Sequence, residues 1–190
     1  MRDDVLRLHH FLPLSGVNGP GRRAVLWVQG CTLGCPGCFN PKTHAGERGE
    51  TVTVDALLER IRGLEGQIEG ITISGGEPLQ QRRGLEKLLR RVRDESSLSV
   101  VVFSGYTWEE IQAMPRADEL LGLIDVLLAG RYDQRQRVAD GLLGSANKTI
   151  HLLSPRYSLA DLDAIPQAEV IVGADGELFI SGIDPLQWQS

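Results

Sequence analysis

Residues 24–38, Ala24-Val-Leu-Trp-Val28-Gln-Gly30-Cys31-Thr-Leu-Gly-Cys35-Pro-Gly-Cys38, decide how this chain is read. The first five are a continuous apolar run of buried-strand character, ended by Gln29-Gly30. The rest hold all three cysteines of the chain within eight residues. Gly34, Pro36 and Gly37 between them favour a tight loop over a helix. An odd number of cysteines clustered this closely is no disulfide framework. Three thiolates on one short loop can instead wrap a soft metal centre. Zinc stays open, with His44 as a fourth ligand, although structural zinc sites usually draw on two ligand pairs and no second pair exists. A [4Fe–4S] cluster normally takes four cysteines; three leave one iron free to hold a substrate or cofactor.

Outward from this stretch, strand runs alternate with amphipathic helices. Gly70–Ile73 is the second strand, stopped by Ser74-Gly75-Gly76; Leu98–Phe103, Ile124–Leu128 and Thr149–Leu153 follow. Thr53 caps a helix with Val54, Leu57, Leu58, Ile61 and Leu64 on one face. A second helix carries Leu85, Leu88, Leu89 and Val92. Thr107 caps a short third one, with Trp108 and Ile111, ending near Pro115. Val170–Val172 and Leu178–Ile180 flank Ala174-Asp175-Gly176, a hairpin signal. Strands alternating with helices imply βαβ units and a largely parallel sheet. A closed eight-unit barrel needs about 250 residues. The 190 residues here predict one α/β domain, an open partial (β/α) barrel of about five parallel strands plus a C-terminal hairpin. Residues 1–22 form an N-terminal segment, 23–153 the core and 154–190 an extension. In such sheets ligands sit at the carboxyl ends of the strands. That edge gathers the cysteine loop, Ser74–Pro78, Ser104-Gly105-Tyr106 and Arg131-Tyr132.

Composition narrows the function classes. Hydrophobic residues make 42% and charged residues 24%, and the net charge is −5. That balance suits a globular chain and argues against a protein held by nucleic acid or anionic lipid. No apolar run is long enough to span a membrane, and the N-terminus lacks a secretory pattern. A cytoplasmic protein is expected.

The spacing Cys-x3-Cys-x2-Cys resembles the cluster motif of the radical S-adenosylmethionine (SAM) enzymes. The block from Trp27 to His44 is similar to one branch of them, the activating enzymes of glycyl-radical enzymes. Further similarity lies at Asn18-Gly-Pro-Gly21, Thr72-Ile-Ser-Gly-Gly-Glu-Pro78 and Ser104-Gly-Tyr106, and more weakly at Gly144-Ser-Ala-Asn147. It extends from about residue 8 to 153. Gly37 departs from the superfamily, which more often has an aromatic residue there, and Leu128-Ala-Gly130 and Ser145-Ala-Asn147 drift from the branch pattern. The resemblance implies a [4Fe–4S] cluster on Cys31, Cys35 and Cys38, with SAM as second cofactor. By the same resemblance, Ser74, Gly75, Gly76 and Glu77 surround SAM's methionine end. Gly37, Cys38 and Phe39 lie along its adenine, and Ser104 touches its ribose or carboxylate. The implied activity is reductive cleavage of SAM and hydrogen abstraction from a glycine in a partner, expected to be an anaerobic ribonucleotide reductase. A flavodoxin or ferredoxin is the implied electron donor.

Blander readings stand beside these. Ser74–Pro78 reads as a strand-to-helix turn with Pro78 at the first helical position, and Ser104 as a turn hydroxyl. Trp27 and Phe39 read as core, His44 as packing, and Asp125 as a surface or capping carboxylate rather than a cofactor contact. Arg131, Arg135 and Arg137 read as a solvated loop or a docking surface. His9-His10 belongs to the opening segment, and Asn18–Gly21 shapes the approach to the first strand. Two other functions remain: a radical SAM enzyme acting on a small molecule, of the heterocycle-forming type, and a non-catalytic electron-transfer or zinc-binding module. An electron carrier would need a fourth cysteine, which is absent.

Overall fold

The computed structural model describes residues 4–173 and 175–183. The chain opens with β1 (Val5–Ser15), β2 (Arg23–Val28) and β3 (Glu50–Thr53). It continues through α1 (Val54–Arg62), β4 (Gly70–Gly75), α2 (Arg82–Glu95) and β5 (Ser99–Phe103). Two short helices, α3 (Trp108–Gln112) and α4 (Ala117–Leu121), lead to β6 (Val126–Ala129). A small hairpin of β7 (Arg137–Asp140) and β8 (Leu143–Ser145) precedes β9 (Thr149–Leu152). Then come α5 (Leu159–Asp163), β10 (Ala168–Val172) and β11 (Leu178–Gly182).

Seven strands form the main sheet in the order β3-β1-β2-β4-β5-β6-β9. The inner four, β2, β4, β5 and β6, are parallel. β1 is antiparallel to both β2 and β3. The expected fifth parallel strand is corrected here: Thr149–Leu152 pairs antiparallel with β6, Val126 opposite Leu152. The cause is the connection. A parallel return needs a helical crossover, whereas residues between β6 and β9 form a 3₁₀ turn and the β7–β8 hairpin.

The strand runs are apolar throughout because both sheet faces are covered. On one face Leu26, Ile71, Ile73, Val100 and Val102 meet Leu57, Leu58 and Ile61 of α1 and Leu85, Leu88 and Leu89 of α2. On the other, Val101, Val126 and Leu128 pack with Leu142, Leu162 and Ile165. Each such burial contributes about 1.5–3 kcal/mol. The caps form as read: Thr53 Oγ1 accepts from Ala56 N at 3.2 Å, and Thr107 makes a capping box with Glu110.

The β10–β11 hairpin is paired Val170 to Ile180 and turns through Asp175-Gly176, with Gly176 at φ +83°; Ala174 lies outside the described residues. It leans on the second face beside β1 and β2. Phe179 meets His10 and Trp27 at ring separations of 5.2 and 6.3 Å. Asn18 Nδ2 donates to Ser181 Oγ at 2.7 Å, and Gly16 N donates to Glu169 Oε2 at 3.0 Å.

At the amino ends of the strands lies Arg23, fully buried. Its guanidinium donates to Thr72 Oγ1, Pro20 O, Ser99 Oγ, Ile71 O and Ser99 O at 2.7–3.1 Å. One side chain thus ties β2, β4, β5 and the Asn18–Gly21 loop together. Burial pulls its pKa below the usual arginine value.

Candidate functional site: a thiol-lined cavity

A cavity of about 500 Å³ opens at the carboxyl ends of β2, β4 and β5 and runs beneath the β10–β11 hairpin. Cys31, Cys35 and Cys38 all line it, each partly exposed and unpaired. Their loop is fixed by its surroundings. Gly30 N donates to Thr43 O at 2.7 Å, Cys31 N to His44 O at 3.2 Å, and Cys38 N to Cys35 O at 3.2 Å. Gln29 reaches from β2 to donate to Lys42 O and Ala45 O, and Gln80 accepts from Thr32 N. Gly34 and Gly37 take φ +64° and +69°, which lets eight residues fold back on themselves. Burial pushes the Cys31 thiol's pKa up, and the nearby Glu77, Cys35 and Cys38 push it the same way.

This donor set fits an iron–sulfur cluster. Three soft ligands face one cavity, and no three His, Cys, Asp or Glu among the described residues gather closely enough to hold a single ion. Three soft thiolates carried on one short loop suit a centre of several metal atoms.

Ser74, Gly75, Gly76, Glu77 and Ser104 stand on the same cavity. Gly75 has φ +103°, and a Cβ there would lie 2.6 Å from Val28 N. A Cβ on Gly76 would lie 2.3 Å from Gly30 O. The double glycine is therefore required by the close approach of the β4 turn to the end of β2, before any ligand needs room. Two hydrogen bonds seal that approach, Gly76 N to Val28 O at 2.8 Å and Glu77 N to Gly30 O at 2.9 Å.

Glu77 is fully buried. Its Oε1 accepts from Leu79 N and Ser104 Oγ, both at 2.9 Å, and its Oε2 accepts from Gly105 N at 2.7 Å. The carboxylate thus joins the turns after β4 and β5. Burial pushes its pKa up, and these three hydrogen bonds oppose that. The Ser104 hydroxyl also accepts from Tyr106 N at 3.1 Å.

Of the other residues named from the sequence, Phe39, Trp27 and His44 line the cavity while Gly37 and Asp125 do not. Gly37 is absent from the cavity wall; its Cβ position faces Gln134. Phe39 is not core. It stands 36% exposed at the cavity rim, its ring 4.6 Å from that of Tyr132 and beneath the Arg137 guanidinium at 4.8 Å. Trp27 is half-buried and forms cavity wall with His10. His9 and His44 line the cavity too.

Asp125 neither reaches the cavity nor lies on the surface. Buried at the amino end of β6, it accepts from Val100 N and Ser154 Oγ and pairs with Arg93 at 2.8 Å. Burial alone would raise its pKa, but these partners hold it below the usual carboxylate range. Arg131 pairs with Glu110 and stands over the Tyr106 ring at 5.6 Å, while Arg135 is exposed.

The sequence reading passed over Lys148, which precedes β9. It lines the cavity, and its Nζ donates to Gly130 O. Among the described residues of the wall it is the sole Lys or Arg.

Comparison with known proteins adds to this geometry. A family model described as a 4Fe-4S single cluster domain matches residues 17–151. An anaerobic ribonucleoside-triphosphate reductase-activating protein of Escherichia coli K12 is 32% identical over 155 residues, covering 78% of this chain and 99% of its own length. Proteins of the same name from Vibrio cholerae and Haemophilus influenzae are 34% and 36% identical, covering 77% and 74% of this chain and 97% and 94% of their own lengths. Among solved structures, Escherichia coli QueE superposes with a TM-score of 0.43 at 15% identity, over 54% of each chain. No helix among the described residues is long and apolar enough to cross a membrane.

Proposed function

This chain belongs to the family of anaerobic ribonucleoside-triphosphate reductase-activating proteins, with a 4Fe-4S single cluster domain, and we propose that it is a radical SAM enzyme placing a glycyl radical on such a reductase. The observation that carries the proposal is three free thiols and a double-glycine turn facing one cavity at a parallel-sheet edge. The sheet, closed on neither side by strand pairing, is read as a partial barrel of the radical SAM type.

Cys31, Cys35 and Cys38 would hold the cluster, and the turn from Ser74 to Glu77 with Ser104 would hold SAM. When bound, cluster and SAM together supply one-electron cleavage of the sulfonium and a 5′-deoxyadenosyl radical able to take a hydrogen atom from a glycine Cα. The protein's own part is positional. Glu77 locks the β4 and β5 turns to each other, so two walls of the site keep one separation. Trp27, His10 and Phe179 form an aromatic side of the cavity, packed ring against ring. A glycine target fits because it has no side chain to obstruct approach and its Cα radical is stabilised by the flanking amides.

A flavodoxin or ferredoxin would deliver the electron. The cytoplasm, where thiols stay reduced, is the proposed compartment. The test is anaerobic incubation of reconstituted protein, SAM, reductant and an anaerobic ribonucleotide reductase. The expected result is the doublet electron paramagnetic resonance signal of a glycyl radical in the reductase. Formation of 5′-deoxyadenosine without that doublet, and with a small molecule consumed instead, would overturn the reading.

A further inference from the structure

We propose that Lys148 sets the reduction potential of the cluster, acting as the cavity's fixed positive charge beside Cys35, Cys38 and Glu77. The inference rests on the cluster assignment above and goes beyond it.

The charge inventory of the wall carries it. A [4Fe–4S]²⁺ core on three thiolates has a net charge of −1, and one added electron makes it −2. Glu77 adds a buried carboxyl to the same cavity. Charges lining one recess act on one another more strongly than charges on an open surface. Against this the described wall offers one side chain that is cationic by default, Lys148. Arg131, the other cation felt by Cys35, stands outside the wall and is paired with Glu110. Of the histidines on the wall, His10 has its pKa lowered from the ordinary imidazole value, chiefly by desolvation.

The position of Lys148 is built rather than incidental. Its Nζ is tethered to Gly130 O at the end of β6, and its backbone N donates to Ser145 O at 3.2 Å. Gly130, at φ +120°, brings the chain to within 3.4 Å of Lys148 Cα, measured from the Cβ position glycine leaves empty. Burial, the larger effect, lowers the ammonium's pKa below the ordinary lysine value, and Cys35, Glu77 and Cys38 oppose that shift. A cation held there stabilises the more negative, reduced cluster over the oxidised one. The electron comes from a low-potential one-electron donor and resides on the cluster; no bond changes in this step.

The experiment compares reconstituted wild type with Lys148→Gln, Lys148→Met and Lys148→Arg. The readout is the cluster's midpoint potential in an anaerobic redox titration, followed by electron paramagnetic resonance. Gln and Met should each lower the reduced-to-oxidised ratio at a fixed poise about tenfold, a downward shift of about 59 mV for a one-electron couple. Arg should stay within about threefold of wild type. Should Gln and Met fold with unchanged thermal midpoints yet take up iron poorly, with Arg loading normally, the charge requirement is supported in a stronger form. Equal potentials in wild type, Gln and Met overturn the proposal, as does an Arg variant that behaves like Gln. Wild type that accepts no four-iron cluster defeats the underlying reading instead, so the two failures are distinguishable.

Discussion

Gly76 shows how one residue answers to two demands. It lines the cavity, yet the nearest atom to a side chain there is the carbonyl oxygen of Gly30, 2.3 Å from the Cβ position. Gly76→Val should therefore destabilise the apoprotein by about 1–3 kcal/mol or more, as overpacking against backbone does. Thermal unfolding without SAM checks this; an unchanged midpoint with SAM binding lost would place the conflict with the ligand instead. Each of Cys31→Ala, Cys35→Ala and Cys38→Ala should leave reconstituted protein without a stable four-iron cluster, read as iron and sulfide per chain. Asp125 offers a pH test. Its folded pKa lies below the unfolded value of about 3.9. Its stabilising contribution is thus complete above about pH 5 and fades as pH falls through the folded pKa. Asp125→Asn should cost about 1–3 kcal/mol near neutrality, since Arg93 is partly exposed and screened, and the deficit should shrink below pH 4. Urea titrations at pH 7 and pH 3.5 measure both. At this scale the cysteines were legible because three thiols in one loop allow few chemistries. Lys148 was not, because a single lysine in a polar loop looks like any solvated one until the fold turns it inward.

Among the elements, βα alternation was readable because buried parallel strands and amphipathic helices carry different periods. β1 was missed although Leu6, Leu8 and Leu12 are buried along it. The register shifts between Leu8 and His10, so Phe11 rather than Leu12 continues the face of Leu6 and Leu8, and the period breaks where His9 and His10 line the cavity. The direction of β9 was not legible either, since strand composition carries no arrow and only the connection decides it. The short α3 depends on its ends more than on its length. Thr107→Ala removes the side-chain acceptor for Glu110 N, and should cost about 1 kcal/mol. Loss of the cap should also loosen Trp108, whose ring stacks 4.0 Å from that of His151. Chemical denaturation followed by tryptophan emission reports both.

For the molecule as a whole, the buried polar networks and the proposed site occupy opposite ends of one sheet. Arg23 and Asp125 pin the amino ends of the strands, and the cysteines and glycine turns work at the carboxyl ends. Arg23→Met would leave the carbonyls of Pro20, Ile71 and Ser99 short of donors. A cost of about 3–5 kcal/mol is expected from stranding several buried acceptors. It should appear as a lower urea midpoint at unchanged slope, with any protein that remains folded still able to load iron. The hairpin was anticipated from its Asp-Gly turn, but its place was not: a turn signal says that two strands pair, never what they will cover. It covers the cavity, and it lies beyond residue 151, where the family match stops. A nascent chain leaves the ribosome amino end first. The thiol loop and the first three parallel strands therefore emerge more than fifty residues ahead of β10 and β11. During that interval the pit proposed for the metal has one side missing. Iron and sulfide delivered to the growing polypeptide would meet a wider door than those offered to the finished protein, and the last stretch of translation would swing it partly shut.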